Sequence, residues 1–139
     1  MAGSDSNITA THVDWRREGM AMNLDTAIQA HTDWKTKFRF AITKHEFPLD
    51  VLTISKDNCC ELGRWLNGEA KTKYDHLACY RECVIKHSEF HTEAAKIASV
   101  INAREYNEAL IMMNSETSFW LASNSLILAI IRLRKETGF

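Results

Sequence analysis

The run from Tyr80 to Ile101 constrains this chain most. Tyr80, Val84, His87, His91, Ala94, Ala98 and Ile101 follow one another at alternating intervals of four and three residues. An α-helix returns side chains to one stripe at that spacing, and a stripe this long reads as the seam of a helical bundle. Seam positions normally take Leu, Ile, Val or Ala. Here two are histidine, one turn apart in the run HSEFH at 87–91. A buried imidazole must find partners for its ring nitrogens, and a polar group left unsatisfied costs roughly 1–3 kcal/mol.

The rest of the chain has the same character. It holds one proline, Pro48, and five glycines in 139 residues. No sustained period-two alternation argues for strands. Leu24, Ile28, His31, Trp34 or Lys35, Phe38 and Ala41 or Ile42 form a stripe that predicts a first long helix from Asp14 or Leu24 to Lys44. FPLD at 47–50 ends it, because proline lacks the backbone donor and disfavours helix before itself. A short helix is predicted around CCELGRWLNG, with Asp57 or Asn58 as N-cap and Gly68 as stop. The third element covers roughly 71–103. A fourth, at about 105–136, repeats the rhythm through Ala109, Met112, Glu116, Phe119, Ser123, Leu126, Ile130 and Leu133. The expected fold class is all-α: a four-helix-bundle-like domain with three long helices and a short helix carrying Cys60. Residues 1–13 read as a loose polar tail and 14–139 as the bundle. Met20 and Met22 stand just before the patterned region and are alternative starts.

Charge and composition exclude several functions. The net charge of −1, from 17 basic and 18 acidic residues, leaves no electrostatic footprint for nucleic acid or an anionic membrane. The longest apolar run, LILAIIRL at 126–133, is too short to span a bilayer. The N-terminus lacks the basic end and apolar run of a secretory signal, so the expectation is a cytoplasmic protein. Its four cysteines then read as thiols or metal ligands before disulfides.

Residues four apart on a helix share a face, so His87 and His91 can point at one ion. His31 lies on the stripe of the first helix, and Cys60 opens the short helix in CELGRW. Thiolate and imidazole together are a zinc-like ligand set. His31, Cys60, His87 and His91 would form a closed tetrahedral Cys/His₃ site for Zn²⁺, with no open position for substrate water. The competing reading is that each histidine bonds locally or reaches solvent at the edge of the seam.

CELGRW at 60–65, HxxxH at 87–91, AIQAHTDWK at 27–35, AAKIA at 94–98 and the spacings between them resemble the chemoreceptor zinc-binding (CZB) domain family. The resemblance runs from about Leu24 to about Leu133. It implies a bundle holding one zinc through His31, Cys60, His87 and His91. In that family the domain is attached to bacterial chemoreceptors and diguanylate cyclases. Zinc occupancy, or oxidation of the zinc-bound cysteine by hypochlorous acid, there changes the output, which makes Cys60 the expected redox-reactive residue. Members commonly pair, so a homodimer is implied. No coiled-coil signalling region or cyclase accompanies this bundle, so any output would pass to a separate signalling partner.

Other residues carry weaker expectations. Cys59 is turned about 100° from Cys60 and reads as packing, or as a thiol that could resolve an oxidised Cys60. Cys83 could pair with His87 for a metal but lies just off the seam, where core cysteine is common. Asp57 and Glu116 could each hydrogen-bond a ligand imidazole; capping for Asp57 and solvent for Glu116 are the alternatives. Gly63 would let the short helix approach another backbone closely. His12, His45 and His76 read as surface residues, and Trp34, Trp65, Phe90 and Trp120 as core.

Catalysis is not expected. HSEFH lacks the general base of HExxH, and none of the six histidines has Glu or Asp four residues later, as di-iron bundles require. The leading reading is a zinc-binding sensory module. The alternative is a structural zinc domain or a dimerisation module without sensing.

Overall fold

A computed structural model describes residues 22–45 and 48–138. Among the described residues the elements are α1 (Leu24–Thr32), α2 (Trp34–Lys44), α3 (Val51–Ser55), α4 (Glu61–Asn67), α5 (Glu69–Tyr74), α6 (Ala78–Asn102), α7 (Tyr106–Met112) and α8 (Ser118–Thr137). The expected all-α class holds, with no strand among these residues. None of these helices is long and apolar enough to cross a membrane. The expected tail at 1–13, the helix start at Asp14 and His12 lie outside the described residues.

The 25-residue α6 is the axis of the fold. It packs along α8 and also meets α2, α3, α5 and α7. Six of its seven seam residues are buried, Val84 being half-buried. The buried face is broader than the seam, however. Cys83, Phe90 and Ile97 are fully buried beside it, because neighbours cover α6 on more than one side. Cys83 is therefore a core residue. Burying apolar side chains of this size stabilises by roughly 1.5–3 kcal/mol each, so this helix organises the core.

The first long helix forms as α1 and α2, interrupted at Asp33. Asn23 Oδ1 accepts from the Thr26 N–H at 3.1 Å and fixes the start of α1. His45, in the left-handed region at φ 57°, closes α2. His45 and His76 are exposed, as expected. Trp65 and Phe90 are core residues, whereas Trp34 and Trp120 are only half-buried.

Besides the break at Asp33, three further boundaries differ from the sequence reading. The third element divides into α5 and α6, separated by 75–77, so helix α6 begins at Ala78. The fourth divides into α7 and α8. Thr117 caps α8 by accepting from the Trp120 N–H at 3.3 Å, while its hydroxyl lies 2.8 Å from the carbonyl oxygens of Met112 and Asn114. These local side-chain bonds offer the backbone an alternative to helix. The third difference is α3, which was not expected at all. Asp50 starts it by accepting from both the Thr53 N–H and hydroxyl.

Candidate metal centre

His31 occupies the last turn of α1, on the same buried face as Leu24 and Ala27. Its Nδ1 lies 2.8 Å from the Ala27 carbonyl oxygen. A carbonyl can only accept, so Nδ1 carries the proton and Nε2 presents a bare lone pair. His91, on α6, is arranged the same way: Nδ1 donates to the Ile54 carbonyl at 2.8 Å. His87 lies one turn earlier on the same face. All three rings are buried, with exposures of 2–4%. Phe90 packs edge-on to His31 at 5.1 Å between centroids and helps shield the cluster.

Cys60 reaches the cluster from the start of α4. It is the N-cap itself, with extended backbone (φ −87°, ψ 166°), so neither Asp57 nor Asn58 caps this helix. Its sulfur accepts from the Gly63 N–H at 3.4 Å. Gly63 has the close approach expected of it. A β-carbon there would come within 1.7 Å of the Asp57 carbonyl oxygen. Only glycine lets the first turn of α4 lie against the 57–58 backbone, and that seat aims Cys60.

The four donors converge. Cys60 Sγ lies 3.8 Å from His31 Nε2, 3.2 Å from His87 Nε2 and 3.7 Å from His91 Nε2. His87 Nε2 lies 3.2 Å from His31 Nε2 and 3.0 Å from His91 Nε2. Zinc–nitrogen bonds of about 2.0–2.1 Å and zinc–sulfur bonds of about 2.3 Å on a tetrahedron imply donor separations of about 3.4 Å for N···N and 3.6 Å for S···N. The S···N distances lie on both sides of the expected value, and the two N···N distances are slightly shorter than theirs. The Nε2 lone pairs of His31 and His91 both face this cluster, and a cation held between the four donors would satisfy them. The donor set therefore fits a zinc ion.

Electrostatics point the same way. Burial pushes the His31 pKa down to about 4, against the opposing Ala27 hydrogen bond. Burial, then the neighbouring imidazoles, push His87 down to about 2. Burial also lowers His91, partly offset by the Ile54 hydrogen bond and the charge of Asp57. All three rings are thus neutral at pH 7, the form in which imidazole binds metal. Burial pushes the Cys60 thiol up, with the Gly63 and Leu62 N–H groups opposing. A divalent cation reverses that balance and holds the thiolate.

A cleft of about 380 Å³ runs between α1–α2 and the start of α4, lined by His31, Trp34, Lys37, Cys59, Cys60 and Leu62 among others. It brings solvent to the Cys60 edge of the cluster. Cys59 is exposed, 3.7 Å from Asn58 Oδ1. Asp57 is half-buried, and its charge acts on His91. Glu116 is elsewhere: it is exposed in the turn between α7 and α8, at φ 69°. The seam breaks there, so its seam position was an accident of spacing. The sequence reading missed the carbonyls of Ala27 and Ile54. Backbone acceptors leave no residue-type signal, and α3, which supplies Ile54, is only five residues long.

Among the described residues, His31, Cys60, His87 and His91 are the group whose donor atoms all lie within 4.8 Å of one another. Residues 31–98 match the sequence model of the chemoreceptor zinc-binding domain, a span that begins at His31 and includes all four. Comparison with curated proteins and with solved structures gives no match. Residues 31–98 are thus consistent with a chemoreceptor zinc-binding domain, a family whose metal is zinc.

Proposed function

We propose that this chain is a regulatory zinc module in which His31, Cys60, His87 and His91 hold one ion, and in which loss of zinc or oxidation of Cys60 is the signal. The observation that carries this reading is the convergence of three buried imidazoles and one reachable thiol from α1, α4 and α6. When bound, zinc keeps Cys60 ionised and ties the three helices together. Four protein donors leave no place for a substrate water, so the module is not catalytic.

The cleft gives a small oxidant a route to Cys60 Sγ. With hypochlorous acid, the thiolate sulfur attacks chlorine and the resulting sulfenyl chloride is hydrolysed. Thiolate and HOCl give sulfenic acid and chloride, with sulfur oxidised by two electrons and chlorine reduced by two. A sulfenic acid is a weaker ligand, and it no longer anchors the start of α4. The change would pass to a separate signalling protein of chemoreceptor or diguanylate-cyclase type. Pairing as a homodimer is part of this reading. Leu121 and Leu128, 53% and 67% exposed two turns apart on α8, supply an apolar face for it.

One observation favours a plainer role as a structural staple. Three ligands are almost wholly buried, and together the four tie α1, α4 and α6 into one body. The test is to add sub-stoichiometric hypochlorous acid to the zinc-loaded protein, following released zinc and thiol content together. Release of zinc with loss of the Cys60 thiol supports the switch. Retention of zinc while the exposed Cys59 alone reacts supports the staple.

A further inference from the structure

The segment from Leu49 to Ser55 is a strap laid along α6, with Leu49 and Val51 packed half-buried against the core. Ile54 is its one buried residue, while Leu52, Thr53 and Ser55 are exposed. A helix of five residues is too short to be stable alone. Apolar packing is not directional, and hydrogen bonds at its two ends fix its register on α6.

One end is held by Asn102, in the last turn of α6. Its Oδ1 accepts from the Leu49 N–H at 2.7 Å, and its Nδ2 donates to the Leu49 carbonyl at 2.9 Å. Both polar groups of one backbone residue are thus gripped by one side-chain amide. The other end is held by the Ile54 carbonyl, which accepts from His91 Nδ1 at 2.8 Å. His91 lies about three turns before Asn102 on the same helix. Helix α6 therefore carries both anchors of the strap, and the strap returns to one of them the acceptor that fixes its tautomer.

We propose that Asn102 is a positioning residue for the zinc site. By clamping Leu49 it sets the strap so that the Ile54 carbonyl meets His91 Nδ1, which keeps the His91 Nε2 lone pair aimed at the cluster. Groups that orient a ligand imidazole are worth about 10–100-fold in metal affinity. Asn102 acts one step further out, so its effect belongs at the lower end. The inference rests on the zinc reading above, and Asn102 lies outside the span 31–98 that matches the family.

The test compares wild type with Asn102→Leu, which removes both hydrogen bonds, and Asn102→Asp, which keeps the acceptor for the Leu49 N–H. Zinc affinity is measured by competition with a chromophoric chelator, and amide hydrogen exchange is followed across 49–55. The expected result is about tenfold weaker zinc binding in Asn102→Leu and a smaller loss in Asn102→Asp. Exchange should be faster at 49–55, with unchanged protection in α6 and α8. Zinc affinity equal to wild type in Asn102→Leu would overturn the proposal. So would a loss of affinity that comes only with loss of protection throughout α6, in either variant, since that is a general structural role. If wild type itself binds no zinc, the zinc reading fails and this inference fails with it; the two failures are thereby distinct.

Discussion

Gly63 and Asp57 are in backbone contact: a β-carbon on Gly63 would fall 1.7 Å from the Asp57 carbonyl oxygen and 2.8 Å from its carbonyl carbon. Backbone cannot swing aside like a side-chain tip, so the start of α4 must move if anything larger than glycine stands there. Gly63→Ala should therefore displace Cys60, which is anchored to the Gly63 N–H. The expected outcome is at least tenfold weaker zinc binding, together with a loss of about 1–3 kcal/mol of stability from overpacking. Chelator competition and chemical denaturation measure the two. Wild-type affinity in this variant would mean that the Cys60 seat does not depend on Gly63.

The buried imidazoles predict how the metal-free protein responds to acid. His31 and His87 have folded pKa values of about 4 and about 2, below the unfolded 6.5. Below pH 6.5 the unfolded chain takes up protons that the folded chain refuses, so stability present above that pH is lost as pH falls towards the folded values. Each such imidazole contributes a slope of up to about 1.4 kcal/mol per pH unit. Thermal midpoints of the metal-free protein should be level from pH 7 to 8 and drop steeply from 6.5 to 4.5. A flat profile through that window would show that the rings protonate in place.

Cysteine variants separate the ligand from its neighbours. Cys60→Ser should lower zinc affinity by about two orders of magnitude or more, because the thiolate is one of four donors. Cys59→Ser should bind zinc as wild type does, since that side chain is exposed and turned to Asn58. Equal loss in both variants would contradict the assignment of Cys60.

Glu116 holds φ 69° in the turn before α8. A left-handed backbone costs a non-glycine residue about 1 kcal/mol or more, so Glu116→Gly should stabilise the fold by up to about 1 kcal/mol. Zinc affinity should not change, because the side chain is exposed in that turn. A measurable drop in affinity would place Glu116 at the site after all.

What could be read from the sequence, and what could not, follows from the range of each signal. The histidines of α6 were legible because a 25-residue helix repeats its period many times. The Cys60–Gly63 unit was legible because a glycine between Leu62 and Trp65 has little reason to exist except close approach. By contrast, α3 spans five residues, barely more than one turn, so no periodicity could announce it. The N-cap of α4 was misassigned because Asp57 and Asn58 are the better cappers by type. Cysteine holds the position through the geometry of the cluster. At Glu116 the rhythm of apolar residues continued across a real break. Asn114, Ser115 and Thr117 were the turn signal there, and the seam spacing masked it.

The functional reading stands on one zinc ion held by His31, Cys60, His87 and His91. The most direct measurement is the zinc content of the reduced, untagged protein after exhaustive dialysis against metal-free buffer, with helicity recorded on the same sample. About one zinc per chain is expected. A protein that keeps its helices and carries no zinc would contradict it.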